Sequence, residues 1–280
     1  MGVNTKALKA RIRSVDSTMH ITKAMELVAS SKIRRAREQM EKSRFYREVL
    51  MEAFEDLAAS DTPYSAERAD DLPALHIVIA GDRGLAGGYN NNVFKLVLAK
   101  AKDGDKVLTV GRRTEEYFFH RPYEVINAAP YSSEKITADD CADIAYQVKA
   151  LYDGNAIGRV YLYGTKFVSM LTQDAEVSVL LPLSKPDLPV KREDAKARAV
   201  TLYEPDPATV LAAIIPEYLA GVLYSTACES FSAEVAARRN AMSTASDNAS
   251  EMIDKLNLAY NRARQSAITQ EITEIVAGSN

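Results

Sequence analysis

Glycine and proline are missing from both ends of this chain. Neither occurs in residues 3–62 or 222–277, although the 280-residue sequence holds 12 glycines and 10 prolines. Because these two residues are the ones that most often interrupt helices, their absence predicts a long helix at each end. An ordinary globular helix has about 11–12 residues, so helices this long indicate a mechanical or assembly role more than a catalytic one.

Cysteine and long apolar runs are also scarce. Cys141 and Cys228 are the only cysteines, and two isolated cysteines predict neither a disulfide framework nor a metal knuckle. We expect both to be buried thiols in a reducing cytoplasm. No run approaches the roughly 18 consecutive apolar residues of a membrane span. The first residues lack an apolar signal core, so we expect no targeting segment.

Motifs that would carry catalysis or hold a cofactor are missing as well. His20, His76 and His120 are scattered, with no zinc-ligand spacing. A glycine-rich loop at 81–90 follows an apolar segment. Its glycines do not match G-x-G-x-x-G, and no lysine follows in the P-loop position. We therefore expect a structural turn, no cofactor, no metal and no catalysis by this chain.

Positive charge is concentrated in the first helix. Residues 1–50 hold twelve Lys or Arg and five Asp or Glu, a net charge of +7, so the remaining 230 residues must carry −10 to give the total of −3. A basic helix on an acidic body favours an acidic partner, a nucleic acid or an anionic lipid surface.

Both terminal helices carry patterns typical of helix pairing. In the first helix, apolar residues step by four and three: Leu8, Ile12, Val15 and Met19. The pattern restarts at Ile21 and Ile33, so we predict no continuous heptad and an irregularly winding partner. In the last helix, alanines recur every four residues: Ala233, Ala237, Ala241, Ala245 and Ala249. Such small residues would let two backbones approach closely. Chain direction makes the pair antiparallel.

The middle of the chain alternates between strand and helix patterns. Apolar strand-like segments are found at 75–80, 107–111, 123–128, 160–165 and 176–183. This alternation predicts an α/β fold, a small, mostly parallel, doubly wound sheet domain inserted between the two helices, which form an antiparallel coiled coil. We expect domains at 1–62 (coiled-coil helix), 70–205 (Rossmann-like α/β domain) and 207–278 (coiled-coil helix).

The last turns of the C-terminal helix are apolar although they should overhang the first helix. They contain isoleucine and valine at helical spacing: Ile268, Ile272, Ile275 and Val276. An exposed apolar tip of this kind favours a partner with a socket that covers it.

Several segments resemble one known family. The segments 12–15, 21–32, 82–90, 202–207 and 260–276 are similar to the gamma subunit of F-type ATP synthase. The resemblance runs in order along nearly the whole chain. Ala86 departs from the cysteine that is frequent in that family, and the cysteine pair of the chloroplast form is missing.

The resemblance implies a non-catalytic rotor shaft. In that family one gamma subunit forms a coiled coil inside a ring of three alpha and three beta subunits, with epsilon and the ring of c subunits at its base. Rotation driven by proton or sodium flow is coupled to ATP synthesis or hydrolysis. The resemblance further implies a bacterial protein, peripheral to the cytoplasmic face of the cell membrane, without nucleic acid.

The same resemblance suggests which residues contact partners. Lys23 and Met25 match the place where the shaft meets an acidic lever of the beta subunits. Tyr203 and Glu204 match the region that faces the c ring. Five polar residues of the last helix match positions that contact the catalytic ring or support coupling: Arg238, Arg264, Gln265, Thr269 and Glu271.

Two other functions are compatible with the residues alone. One is a nucleotide-binding enzyme built on 70–205, which saturable nucleotide binding would support. The other is a basic coiled-coil protein that binds nucleic acid or membrane through 1–50, with a steep salt dependence. That helix has no interleaved aromatics or base-reading motif, which disfavours the second function.

Overall fold

The computed structural model describes residues 5–58, 63–66, 68, 72–127, 131–183, 204 and 206–278, including side chains except those of 52–58 and 207. Its helices are α1 (Thr5–Ala58), α2 (Tyr89–Lys100), α3 (Arg112–Phe118), α4 (Ala138–Asp153) and α5 (Pro207–Gly278). Its strands are β1 (Ala74–Ile79), β2 (Lys106–Val110), β3 (Glu124–Val125), β4 (Arg159–Phe167) and β5 (Gln173–Leu181). The predicted limits near residues 62, 70 and 205 lie outside or at the edge of the described residues, so these domain boundaries stay predictions.

The chain divides into two compact units. One, the shaft unit, comprises Met1–Ser31 and Arg238–Asn280, and the other, the sheet unit, comprises Lys32–Ala237. The sheet unit contains five strands in the order β3-β2-β1-β4-β5. The contacts β3–β2, β2–β1 and β1–β4 are parallel, and β4–β5 is antiparallel. The predicted mostly parallel α/β sheet is confirmed.

The central strands of the sheet are buried on both sides, because helices cover both faces of the sheet. Alternate residues of β1 point to opposite faces: Leu75, Ile77 and Ile79 join one core, and Val78 joins the other. The first core is completed by α4 and by residues 211–227 of α5. The second is completed by α2, by α3 and by Ala233. The sheet is therefore doubly wound, as predicted.

Strand β3 is shorter than the predicted strand at 123–128. The side chain of Asn127 pairs with Thr109, accepting from its backbone N–H at 2.9 Å and donating to its carbonyl oxygen at 3.3 Å. A side-chain amide thus takes the place of backbone pairing along β2, which ends the regular ladder at Val125.

Helix α5 begins at Pro207, the first residue of the predicted C-terminal helix. Asp206 precedes its first residue and accepts from Thr209 at two atoms, the backbone N–H at 2.9 Å and the hydroxyl at 2.7 Å, which satisfies helix-start donors. The helix continues through the buried Pro216. By length and composition alone, one window of this helix is apolar enough to cross a membrane, and half of that window is buried in the fold.

The prediction that α1 lacks a continuous heptad is wrong. Its buried and half-buried side chains include one line that steps by three and four from end to end, the α1 seam: Thr5, Leu8, Ile12, Val15, Met19, Thr22, Glu26, Ala29, Ile33, Ala36, Met40, Ser43, Arg47 and Leu50. Polar residues occupy several of these positions and hide the repeat. By contrast, Ile21, where the pattern was predicted to restart, is more than half exposed, as is Val28.

Only the end of the alanine stripe of α5 lies at the predicted helix–helix contact, where Ala249 is buried. Ala233 and Ala237 pack against the second core of the sheet. Within the shaft unit, α5 instead has its own line of buried and half-buried side chains, the α5 seam: Arg239, Met242, Ser246, Ala249, Ile253, Leu256, Tyr260 and Ala263. These positions step alternately by three and four, which is the heptad spacing of a coiled coil.

Candidate functional site

In the shaft unit, hydrogen bonds between α1 and α5 fix the pairing of the two helices. The hydroxyls of Thr22 and Ser246 lie 2.7 Å apart and are buried. Arg239 donates from Nε to the Ser30 hydroxyl at 3.2 Å. From Thr22 to Ser30 the chain advances by eight residues along α1, while their partners on α5 go back by seven residues, from Ser246 to Arg239. The two helices are therefore antiparallel. The predicted antiparallel pairing is confirmed.

Lys23 and Met25 lie on α1 beside this paired segment. Lys23 is exposed and donates to Glu26 Oε2 at 3.0 Å, while the Glu26 carboxylate is mostly covered, with 13% of its side chain exposed. Met25 is half-buried. Beside them, Ile21 is 59% exposed, Leu27 63% and Val28 57%. This segment therefore presents an apolar surface together with a cation, a combination suited to a partner with apolar and acidic groups.

The last turns of α5 are uncovered within the described part of the chain. From Arg264 to Gly278 every residue is exposed, and at 1.5 Å per residue these 15 residues span about 22 Å. The predicted contact residues Arg264, Gln265, Thr269 and Glu271 all lie here. The hydroxyl of Thr269 donates to the Gln265 carbonyl oxygen of the same helix at 3.0 Å.

The same turns of α5 also carry four large apolar side chains that are exposed in the free chain: Ile268, Ile272, Ile275 and Val276. Their exposed fractions run from 47% to 72%. A run of large apolar groups in water marks a surface that another molecule covers. The geometry thus agrees with the predicted need for a socket.

The remaining predicted contact residues are dispersed. Arg238 is half-buried at the beginning of the α5 part of the shaft unit, whereas Glu204 is exposed and belongs to the sheet unit. Tyr203 lies outside the described residues. Of the eight predicted contact residues that the structure describes, two lie on α1, five on α5, and Glu204 precedes α5.

The glycine-rich loop between β1 and α2 is a structural turn. The Asp82 carboxylate accepts from the Ser132 hydroxyl at 2.7 Å and from the backbone N–H groups of Arg112, Ser133 and Glu134 at 3.2–3.3 Å. Burial opposes ionisation of Asp82, but these hydrogen bonds outweigh it and lower the pKa of the carboxyl. The loop therefore binds a neighbouring segment of its own chain.

This arrangement argues against nucleotide binding at the loop. The negative charge of Asp82 occupies the backbone N–H donors at the start of α3 and at 133–134 that could otherwise bind a phosphate. The Gly81 N–H is also used, because it donates to Asn90 Oδ1 at 2.8 Å. In the described residues no group of three His, Cys, Asp or Glu side chains could hold a metal ion.

A buried polar network in the sheet unit involves His76. Its Nε2 lies 3.0 Å from Asp105 Oδ2, and its Nδ1 lies 2.9 Å from the Tyr163 hydroxyl. Burial lowers the pKa of His76, although the Asp105 carboxylate opposes this shift. Asp105 also accepts from the backbone N–H groups of Ala74 and Lys102. All these groups are satisfied within the domain, which confirms His76 as a core residue.

Sequence reasoning missed the polar contacts that tie α1 to the sheet unit. The Glu229 carboxylate of α5 is buried and binds Arg44 of α1 at 2.7 Å. On the surface, Lys32 of α1 pairs with Glu134 at 2.5 Å. The available signal for Glu229 was a carboxylate within a helix segment composed mainly of small and apolar residues, a position where burial requires a partner.

Comparison with known proteins gives full-length matches. The model of the family described as ATP synthase matches residues 4–280. An ATP synthase gamma chain of Ruminococcus albus is 43% identical over 99% of this chain and 98% of the relative. A sodium ion specific ATP synthase gamma chain of Acetobacterium woodii is 39% identical over 100% of this chain and 99% of the relative.

Solved structures agree in fold. The rotor of the Euglena gracilis mitochondrial ATP synthase matches with a TM-score of 0.67 at 15% identity, covering 94% of this chain and 98% of that one. The central stalk of the Tetrahymena thermophila enzyme matches with a TM-score of 0.55 at 24% identity, covering 81% and 99%. The full-length family match and the identities of 39–43% decide the assignment: the chain belongs to the ATP synthase gamma chain family.

Proposed function

We propose that this chain is the central rotor shaft of an F-type ATP synthase, which couples ion flow through the membrane sector to ATP synthesis or hydrolysis in the catalytic ring. The full-length match to ATP synthase gamma chains carries this proposal. As in that family, the chain is a non-catalytic subunit of a membrane-associated complex. The antiparallel helix pair and the absence of a catalytic constellation in the described residues fit that role.

The partners follow from the same proposal. One copy of the chain stands within a ring of three alpha and three beta subunits and rests on epsilon and the ring of c subunits, at the cytoplasmic face of the membrane. Three chemically identical beta subunits can differ at a given moment only if the shaft contacts each of them differently. A conformational change needs such a difference in contact free energy between the states it connects.

Lys23 and Met25 are proposed to meet an acidic lever of the beta subunits. The cation of Lys23 and the exposed apolar groups around it are the structural support for this role. Glu204, together with Tyr203, is proposed to face the c ring. Exposed ion pairs contribute only about 0–1 kcal/mol each, so single substitutions should alter coupling before they prevent assembly.

The change Met25→Lys should preserve assembly and loosen coupling. It adds a second cation next to Lys23, which strengthens adhesion to an acidic lever in all rotational states and thus reduces the differences on which coupling depends. We expect fewer ions pumped per ATP hydrolysed, measured in membrane vesicles. Met170→Lys, in the turn between β4 and β5 of the sheet unit, is the matched control. Equal pumping per ATP in the two variants would refute this role of Met25.

Removal of the residues after Gln265 should weaken insertion of the shaft into the ring. The deleted segment contains all four exposed apolar side chains of the tip. We expect slower ATP hydrolysis and easier loss of the chain from the complex on dilution. A full-length variant with serine at 268, 272, 275 and 276 separates apolar contact from length. Full activity and retention in both variants would show that the tip is dispensable.

The decisive experiment is reconstitution with purified alpha and beta subunits. Native mass spectrometry should give one copy of this chain per three alpha and three beta subunits, and steady ATP hydrolysis should depend on its presence. Failure to assemble with partners that are themselves folded would refute the rotor function. Saturable nucleotide binding by the free chain would then favour the enzyme alternative.

A further inference from the structure

We propose that Glu229 clamps α1 to the sheet unit and prevents the helix from turning under load, a role that rests on the proposed rotor function. A rotor transmits torque only if its parts do not slip past one another. Within the sheet unit, Glu229 is the place where the first helix, the sheet and the last helix meet through one carboxylate.

One oxygen of Glu229 makes both bonds of the clamp. Its Oε1 accepts from Arg44 Nη2 at 2.7 Å and from the Phe167 backbone N–H at 3.2 Å. Arg44 belongs to α1, Phe167 ends β4, and Glu229 lies on α5, so three elements are joined at a single atom. Glu229 is 8% exposed, whereas the side chain of Arg44 is 42% exposed, so the carboxylate end of this bond is buried and its guanidinium end reaches the surface.

The neighbours of Glu229 fix α5 to the sheet. The Thr165 backbone N–H donates to Ser230 Oγ at 2.9 Å, and the Tyr89 hydroxyl donates to the Ser230 carbonyl at 2.9 Å. At Gly164 the helix approaches the strand so closely that a Cβ would lie 2.5 Å from the Thr226 methyl group. Because α5 is already held on β4, a bond from α1 to Glu229 ties α1 to the whole sheet unit.

Directional bonds suit this task better than apolar contact does. Apolar burial is non-directional, so a helix packed only by apolar side chains can turn about its axis while keeping most of its contacts. A charge-assisted hydrogen bond weakens steeply when its angle changes. A buried ion pair is poor evidence for stability in itself, but it can specify one arrangement over others.

The other polar links from α1 to this unit are less suited to bearing load. Lys32 and Glu134 form a pair whose side chains are 43% and 39% exposed, and exposed pairs contribute little. Gln39 donates to the Tyr224 hydroxyl at 2.9 Å, also at an exposed position. We therefore expect Glu229 to dominate the resistance of α1 to turning.

The test compares Glu229→Gln and Glu229→Ala with the control Asp153→Asn in the complete complex. The Asp153 carboxylate also accepts two hydrogen bonds, one from the Lys149 ammonium group and one from the Tyr64 hydroxyl. It lies at the end of α4 and does not bind α1. Two activities are measured: ATP hydrolysis by the detached ring with its shaft, which works without load, and ATP-driven ion pumping in vesicles against a growing gradient.

We expect unloaded hydrolysis to match the wild type, while the largest sustained gradient falls in the order wild type, Gln, Ala. Glutamine can still accept a hydrogen bond from the Phe167 N–H but lacks the charge that binds Arg44. The sustained gradient should therefore fall less in Glu229→Gln than in Glu229→Ala. Removing a hydrogen bond to a charged group should make the slipped arrangement about tenfold or more populated. Asp153→Asn should sustain the wild-type gradient.

Two results would overturn the clamp. In one, both Glu229 variants sustain the wild-type gradient. In the other, loaded and unloaded activities fall in the same proportion as the melting temperature, which indicates a merely structural role. Glu229→Gln keeps the side-chain shape and serves if the alanine variant fails to fold. Failure of the wild-type complex to assemble would instead refute the rotor function itself.

Discussion

The two units of this chain are stabilised in different ways. The sheet unit has an apolar core on each side of its sheet and buried polar side chains that are paired with one another. The shaft unit has the α5 seam and the part of the α1 seam from Thr5 to Ala29. From Asp247 onward in α5 the side chains outside the seam are exposed. The comparison shows how one continuous helix can be a core element in one part and a contact surface in another.

The difference follows from where the apolar area lies. Between Leu211 and Ala236, α5 is apolar or small around most of its circumference, as is typical of a helix buried in a core. Farther along, its seam residues alone are covered. A helix pair with a single narrow contact leaves most of its surface for partners, but it depends on those partners for much of its stability.

The largest effect should come from removing one large side chain in each unit. Leu219 in the sheet unit is completely buried, and Leu219→Ala should lower the free energy of unfolding by about 3 kcal/mol. Ile272 in the shaft unit is 57% exposed, and Ile272→Ala should change it by no more than about 0.5 kcal/mol. Thermal and urea unfolding of the purified chain measures both. A comparable loss for Ile272→Ala would break the contrast between the units.

A smaller effect should come from the polar network of the sheet unit. Asp82→Asn replaces a carboxylate that accepts at both oxygens by an amide that can accept at only one atom. We expect the free energy of unfolding to fall by about 2 kcal/mol at neutral pH. The exposed Asp103→Asn is the control.

The pH dependence of the Asp82 effect can be given a sign. Its folded-state pKa lies below the ordinary value of 3.8, so the stabilisation is complete above that value and disappears as the pH falls through the folded-state pKa. The difference between wild type and Asp82→Asn should therefore be constant at neutral pH and shrink in acid. A difference that grew in acid would contradict the network.

The smallest effect should come from the hydroxyl pair in the shaft unit. Thr22→Val and Ser246→Ala each leave one buried hydroxyl without its partner on the other helix. Each should lower the free energy of unfolding by about 1 kcal/mol. A double-mutant cycle should show that the two changes are not additive, because they remove the same bond. Additive losses would mean that each hydroxyl acts only through its own helix carbonyl.

The sheet could be predicted in most respects from the sequence. Segments such as 75–80 and 160–165 are short apolar runs next to turn residues, a pattern that favours buried parallel strands. The exception, β3, depended on the long-range pairing of Asn127 with Thr109, for which the local sequence gives no signal.

The seams were harder to predict because they contain polar residues. Thr22 and Ser246 are buried because each satisfies the other, a relation between positions 224 residues apart. By contrast, Ile21 and Val28 are apolar but more than half exposed. Apolar periodicity cannot distinguish a residue buried within the chain from one that another molecule covers.

The contact residues could be named only through the family resemblance. The exposure of Lys23 and of Arg264 is ordinary for charged residues on a helix, so neither burial nor hydrogen bonding distinguishes them. Their roles remain predictions that the coupling experiments test. Glu229, by contrast, stands out as soon as its burial is known.

The heptad spacing of the two seams has a mechanical consequence. A strict seven-residue repeat gives two paired helices a left-handed supercoil, because the 3.6 residues per turn of a straight helix exceed the 3.5 at which the repeat recurs. Twisting such a pair in one sense winds it more tightly, and twisting it in the other sense unwinds it. The elastic compliance of the shaft unit therefore differs between the two directions of rotation, so that synthesis and hydrolysis load the same helices unequally.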